Sequence, residues 1–272
     1  MGHSGGQLVG AGPRDTDNRD VTALTIGITT ARDPACKRGL AVNLAASRAR
    51  STAPRAKVCV VDADPFTLDV TTRLAVMGPD LEDFGGRSGA TAPRVGAIAS
   101  VGDPPLWVLP SAGAGVGRAH RALGPALAEL RSRFDVVVCD LVGGPSGPAR
   151  VLSDRLAQLD WLLLAVTPEI EPVEAAARFV EQFESARVCG HVAGSVRLGI
   201  VTTGDEGSTG LSPDVVAKML DQPVLASVRQ LWGRAVPNLG FGAALGISEL
   251  DDSVTDLFGC LAGAAEPAAS RA

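Results

Sequence analysis

The sequence predicts an α/β fold in which a doubly wound, mostly parallel sheet is covered by helices on both faces, in a Rossmann-like three-layer arrangement. Two observations predict it. Near-continuous apolar runs, such as residues 161–167, are typical of strands in a parallel sheet that is buried on both faces. These runs alternate with amphipathic segments, such as residues 171–186, which predict connecting helices. Right-handed crossovers then bring the carboxyl ends of the strands to one edge, where such folds bind ligands.

β-branched and apolar runs predict the strands in chain order. The predicted strands are residues 21–29, 57–62, 106–109, 135–140, 161–167, 197–203 and 224–227. Helical spacing of apolar residues predicts the intervening helices; Leu123, Leu127 and Leu130, for example, share one face. The predicted helices are residues 37–50, 119–133, 149–159, 171–186, 213–220 and 251–261.

The alternation of strands and helices predicts a single domain over residues 21–262, since no internal repeat or second hydrophobic core is visible. Residues 1–20 are rich in Gly and Asp without an apolar period, so we expect a disordered leader there. Residues 263–272 are expected to form a flexible tail. Gly, Pro and Ser are concentrated in residues 78–105, which predicts a long surface loop.

Composition and charge argue against several functional classes. The net charge is −5, whereas nonspecific nucleic-acid binding needs a basic face. The predicted helix 251–261 contains Asp but no Lys or Arg, which argues against binding to anionic lipid. The five cysteines form no C-x-x-C pair and the histidines are isolated, which indicates a reducing compartment without disulfides or structural zinc. With no secretory leader visible, we expect a cytoplasmic protein.

Acidic side chains lie where two predicted strands end. Asp62 ends one strand and Asp64 follows it, and Asp140 ends another. Carboxylates at the shared edge of a parallel sheet are candidates for a binding or catalytic site. Their alternative role is structural, because short acidic side chains also cap strand ends and the helices that follow.

Three segments, taken in order, resemble the ParA/MinD family, the SIMIBI-class P-loop ATPases with a deviant Walker A loop. Residues 40–45 (LAVNLA) are similar to the family's L-A-x-N-L-A helix, and residues 60–65 (VVDADP) to its D-x-D-P turn. Residues 134–140 (FDVVVCD) are similar to the strand that carries its Walker B aspartate. The family's loop K-G-G-x-G-K-T-T then falls on residues 32–39 (RDPACKRG), and the resemblance spans residues 21–262.

The resemblance implies a P-loop NTPase-like fold, ATP and Mg²⁺ as cofactors, and a homodimer. It implies that Lys37 contacts phosphate and that Arg32 replaces the signature lysine, which reaches across the dimer. Asp64 stands where the family positions the attacking water. Asp140 stands where the family has its Walker B acid, which lies beside Mg²⁺. Asp62 begins the D-x-D-P turn of the same nucleotide site.

The loop itself departs from the family's pattern. Asp33, Pro34 and Cys36 stand where the family has glycines, and proline has no N–H to donate to phosphate. Arg38 replaces the threonine that ligates Mg²⁺, and Gly39 cannot take over that role. A lost hydrogen bond to a charged group costs about 1.5–3 kcal/mol, so several such changes weaken nucleotide binding strongly. The catalytic acids are thus retained beside a degraded phosphate loop.

Three functions follow as hypotheses. The leading one is a pseudo-ATPase that acts by protein–protein contacts in positioning, partitioning or secretion-system organisation. The second is an active ATPase with a divergent loop that uses Lys37, Asp64 and Asp140, and the third is a scaffold that binds no nucleotide. At the level of residues, Lys37 is either a phosphate contact or a solvated first-turn residue. Arg32 and Arg38 either form a new anion site or are solvated.

Overall fold

One eight-stranded sheet organises the chain, with the strand order β3-β4-β2-β5-β1-β6-β7-β8. The strands are β1 (Leu24–Thr30), β2 (Val58–Ala63), β3 (Ala99–Val101), β4 (Leu106–Leu109), β5 (Val136–Leu141), β6 (Trp161–Val166), β7 (Arg197–Gly204) and β8 (Val224–Arg229). β3 pairs with β4 in antiparallel fashion, and every other pairing is parallel. This computed structural model describes residues 23–37, 39–51, 56–74, 76, 80–81, 99–101, 105–111, 116–144, 158–204, 210–229 and 248–263.

Helices connect the strands within the described residues. They are α1 (Leu40–Ser51), α2 (Asp69–Leu74), α3 (Val116–Leu130), α4 (Ile170–Val188), α5 (Pro213–Leu220) and α6 (Ser248–Gly263). A 3₁₀ turn at Pro34–Lys37 precedes α1. The start of α5 has a clear local cause, because Ser212 Oγ accepts a bond from the amide of Val215 and Pro213 occupies the first turn.

The two faces of the sheet are buried in two separate apolar clusters, because successive residues of a strand point to opposite faces. On β5, Val137 and Cys139 belong to the cluster that α3 and α4 cover. Val136 and Val138 belong to the cluster that α1 and α6 cover. Helices therefore lie on both faces, and the predicted doubly wound, mostly parallel α/β fold is confirmed.

Three details of the secondary structure differ from the sequence prediction. Ala99–Val101 forms the edge strand β3 inside the segment predicted as a loop over residues 78–105. The short helix α2 has no predicted counterpart. The predicted helix 37–50 begins too early, since Lys37 lies in the 3₁₀ turn and α1 begins at Leu40. Gly39 separates the two with φ of 72°, a left-handed conformation that glycine adopts readily.

Some predicted features lie outside the described residues. They are the leader 1–20, most of the helix 149–159, the tail beyond residue 263, and the Arg38 side chain. Within the described residues, none of the helices combines the length and the apolar character that a membrane span requires.

Candidate functional site

The predicted acids gather at the carboxyl ends of β2 and β5, which are neighbours in the sheet. Asp62 on β2 is the register partner of Asp140 on β5, and Asp64 directly follows β2. Asp62 is 0% exposed, and Asp64 and Asp140 are 1% exposed. Carboxylates removed from water in this way need counter-charges, hydrogen bonds or protons.

Lys37 supplies a positive charge to this acidic cluster. Its side chain is 1% exposed, and its Nζ donates to Asp64 Oδ2 at 2.8 Å and to Asp140 Oδ1 at 2.5 Å. Burial acts to lower the pKa of Lys37, but the attraction of Asp140 and Asp64 outweighs burial and leaves that pKa raised. The ammonium is therefore charged and held between two carboxyl groups, and the alternative of a solvated first-turn lysine is wrong.

Two acids of the cluster, Asp62 and Asp140, hold protons more tightly than ordinary carboxyl groups. Burial raises the pKa of Asp140 to about 7, since the attraction of Lys37 does not offset the loss of water and the charges of Asp62 and Asp64 add to the shift. Burial also raises the pKa of Asp62, although the amide and hydroxyl of Thr71 donate to its Oδ2 at 2.9 and 2.6 Å. The Thr71 hydroxyl in turn accepts the amide of Ser111 at 3.1 Å, which fixes it in place.

Two of the backbone amides before α1, those of Cys36 and Gly39, donate to groups within the chain itself. A P-loop binds phosphate because several amides converge on it at a helix N-terminus. Here the amide of Gly39 donates to Asp69 Oδ2 at 2.5 Å. The amide of Cys36 donates to the carbonyl of Asp33 at 3.2 Å, within the 3₁₀ turn that begins at Pro34. A protein carboxylate thus sits where α1 attracts negative charge.

Two glycines after β5 let the chain pass close to Lys37. A Cβ on Gly143 would lie 2.6 Å from Thr30 Oγ1 and 3.2 Å from Lys37 Cε. Gly144 has φ of 91°, and its amide donates to the carbonyl of Thr30 at 3.1 Å. The segment that follows β5 therefore begins packed against the cluster; its residues after 144 lie outside the described part.

We expect Gly143→Ala to destabilise the protein by about 1–3 kcal/mol, because the added methyl group forces Thr30 and the Lys37 stem to shift. Urea unfolding of the purified variant measures the change. Gly194→Ala is the matched control, since nothing lies within 4 Å of a Cβ at that position. Equal stability of the two variants would contradict the close packing described here.

Arg32 pairs within its own chain. Its Nη1 lies 2.6 Å from Glu171 Oε2 at the start of α4, and the two side chains are 50% and 71% exposed. Exposed pairs of this kind contribute about 0–1 kcal/mol, so the pair breaks at little cost. Arg32 therefore remains available to a partner at the surface, while the side chain of Arg38 is not described.

The structure brings Lys37, Asp62, Asp64 and Asp140 into one buried cluster. Sequence reasoning assigned no role in the cluster to three further contributors: Asp69, which holds the Gly39 amide, Thr71, which holds Asp62, and Gly143, which makes room for Lys37. No local pattern identifies these residues, because each acts on a partner that is distant in sequence. Among the described residues, no group of three His, Cys, Asp or Glu side chains is arranged to hold a metal ion.

No family model and no curated protein sequence matches the chain significantly. Its fold, however, matches solved structures. The MinD cell division protein of Aquifex aeolicus superposes with a TM-score of 0.67 at 18% identity, over 90% of this chain and 99% of that one. A ParA-family ATPase from Chlorobium tepidum gives a TM-score of 0.57 at 14% identity, over 87% and 98% of the two chains. Cyanothece McdA in complex with ATP gives a TM-score of 0.61 at 19% identity, over 89% of this chain and 97% of that one.

These similarities show a ParA/MinD-like fold, the fold that the sequence resemblance implies. In this chain, however, the lysine and the amides of Cys36 and Gly39 are already bonded to protein groups. A nucleotide phosphate would have to displace those contacts, and Arg38 offers Mg²⁺ no hydroxyl ligand. The arrangement described here therefore does not fit a bound Mg²⁺–nucleotide.

Proposed function

We propose that this protein is a ParA/MinD-like pseudo-ATPase, which keeps the nucleotide-binding fold but acts by binding other proteins. The observation that carries the proposal is the buried ion-pair cluster, in which Lys37 Nζ bonds to Asp64 and Asp140. A lysine that binds phosphate must present its ammonium to the ligand. Here the ammonium is instead bonded to the two acids to which the family resemblance assigns catalysis.

The proposed work is the positioning, partitioning or secretion-system organisation of a cellular component in the cytoplasm, through a homodimer and a protein partner. The similar MinD protein of Aquifex aeolicus has been solved in complex with MinC, which supports a protein partner for this fold. Arg32 supports a contact between copies, because its pair with Glu171 is exposed and weak. Light scattering after size exclusion, compared between wild type and Arg32→Ala, tests whether the chain dimerises through this surface.

A nucleotide titration tests the pseudo-ATPase proposal directly. We expect the melting temperature of the full chain to be unchanged by ATP, ADP or GTP, with or without Mg²⁺, because a ligand that does not bind cannot stabilise the folded state. A working ParA or MinD ATPase, treated identically, is the positive control. Mg²⁺-dependent ATP hydrolysis that Lys37→Ala abolishes, in a variant shown to be folded, would overturn the proposal.

An active ATPase with a divergent loop is the second candidate function. The retention of Asp64 and Asp140 beside Lys37 favours it, and the similar McdA and the MinD of Pyrococcus horikoshii have been solved with ATP and with Mg-ADP, respectively. This candidate requires Lys37 to leave the two acids when nucleotide arrives. It predicts saturable, Mg²⁺-dependent ATP binding at micromolar concentration, which calorimetry with the full chain detects. A chain that binds no nucleotide and co-purifies with a partner protein excludes this candidate.

A further inference from the structure

We propose that the ammonium of Lys37 is a built-in substitute for a divalent cation, held between Asp64 and Asp140 so that the site stays closed without metal or nucleotide. The inference rests on the proposed function, since an ATPase in use frees this lysine for phosphate. Its basis is the geometry of the cluster. The Nζ atom lies 2.8 Å from Asp64 Oδ2 and 2.5 Å from Asp140 Oδ1, and all three side chains are at most 2% exposed.

The two carboxylate oxygens converge on one point, as ligands of a metal ion do. Oxygen ligands lie about 2.0–2.1 Å from Mg²⁺ and about 2.3–2.6 Å from Ca²⁺, so an inward shift of less than about 1 Å turns both oxygens into ligands. In proteins Mg²⁺ commonly takes one or two carboxylates and completes its shell with water. The pair Asp64 and Asp140 matches that requirement once the ammonium is gone.

The charge of the cluster favours a divalent ion over the ammonium alone. Asp64 and Asp140, when ionised, carry two negative charges, and Lys37 neutralises one of them. A divalent cation at the same point neutralises both, in a place where unpaired charge is costly because water is excluded. Asp62 does not complete a metal site, since its oxygens accept bonds from Thr71 and from the amide of Asp64.

The Lys37 side chain also fills the space beside the two acids. Its stem runs past Gly143, where a Cβ would come within 3.2 Å of Lys37 Cε. Shortening Lys37 to alanine removes this stem along with the ammonium. The variant therefore leaves the two carboxylates without their cation, whereas in the wild type the ammonium occupies the point on which both oxygens converge.

The test is a thermal-unfolding titration of the full-length Lys37→Ala protein with MnCl₂ and with MgCl₂, in nucleotide-free buffer near pH 8. At a tenfold excess of cation over its Kd, we expect the melting temperature to rise by about 3–5 °C. Electron paramagnetic resonance of Mn²⁺ should show bound ion in this variant. The wild type, in the same buffer, should show neither effect.

The double variant Lys37→Ala with Asp140→Asn is the matched control, because it lacks the same lysine but also lacks one ligand. It should lose the cation response; a response equal to that of Lys37→Ala would indicate nonspecific binding and overturn the inference. A Lys37→Ala chain that is unfolded without metal should refold when MnCl₂ is added, and failure to do so also counts against it. The result is separate from the tests of the proposed function: a failed cation response leaves the pseudo-ATPase proposal standing, and ATP hydrolysis by the wild type that Lys37→Ala abolishes refutes that proposal on its own.

Discussion

Replacing Lys37 with alanine is expected to lower the free energy of unfolding by about 3–5 kcal/mol in metal-free buffer, the range measured when one partner of a buried ion pair is removed. The main cause is the uncompensated negative charge that remains in the cluster. In the wild-type structure Asp64 and Asp140 are 1% exposed, so without the ammonium between them each must stay ionised with little access to water or take up a proton. Urea unfolding of the full chain, followed by circular dichroism, measures the decrease in stability.

The size of this decrease should depend on pH, because protonation removes the unpaired negative charge from the buried acids. At about pH 5 the carboxyl of Asp140 is largely protonated even in the wild type, since its pKa lies at about 7, and the variant is destabilised less. At about pH 8 protonation is unfavourable and the destabilisation is greatest. Lys218→Ala is the matched control, because this exposed lysine on α5 should change stability by less than about 0.5 kcal/mol. A Lys37→Ala protein as stable as Lys218→Ala would contradict the role assigned to the buried cluster.

The fold was predictable because the central strands are apolar on both faces. Residues 134–140 alternate sides within a run that is almost wholly apolar, and β5 indeed buries one set of side chains under α3 and α4 and the other under α1 and α6. β3 was not predicted from the sequence. It is a three-residue edge strand in a segment rich in Gly and Pro, too short for any period to be visible.

The members of the site were predictable, but their bonds were not. The resemblance places Lys37, Asp64 and Asp140 near one nucleotide site, and the structure brings them together. Whether the lysine faces phosphate or the acids depends on the backbone of the loop. The direction of the Lys37 side chain follows from the 3₁₀ turn at Pro34–Lys37 and from the space beside Gly143, both of which are tertiary features.

The contact between Gly39 and Asp69 is another bond of the site that the sequence does not predict. The two residues are 30 positions apart in sequence, and neither belongs to a recognisable pair. In three dimensions the Asp69 carboxylate meets the amide at the start of α1, where the helix dipole stabilises negative charge by about 0.3–1 kcal/mol. A carboxylate from within the chain thus accepts an amide bond that, in a P-loop, a phosphate would accept, just as Lys37 supplies a cation from within the chain.

Asp140→Asn is expected to flatten the dependence of stability on pH between about pH 4 and about pH 7. In the folded protein burial raises the pKa of Asp140 to about 7 from its ordinary value of 3.8, so between these values the folded state holds a proton that the unfolded state releases. Because the unfolded state then binds fewer protons, the free energy of unfolding falls as pH rises, by up to about 1.4 kcal/mol per pH unit from this one group. This contribution to stability is fully present below the unfolded pKa and is lost as the pH rises through about 7.

Urea unfolding at a series of pH values, for wild type and Asp140→Asn in parallel, isolates this contribution as the difference between two slopes. Asparagine keeps the shape of the side chain but cannot ionise, so the variant lacks the Asp140 component and retains that of Asp62, whose pKa burial also raises. The raised pKa of Lys37 does not interfere, because its effect on stability lies above pH 10.5. Asp214→Asn, which alters an exposed carboxylate in the first turn of α5, should leave the wild-type slope unchanged. Parallel slopes for Asp140→Asn and wild type would mean that Asp140 stays ionised throughout this range, and that Lys37 compensates its burial in full.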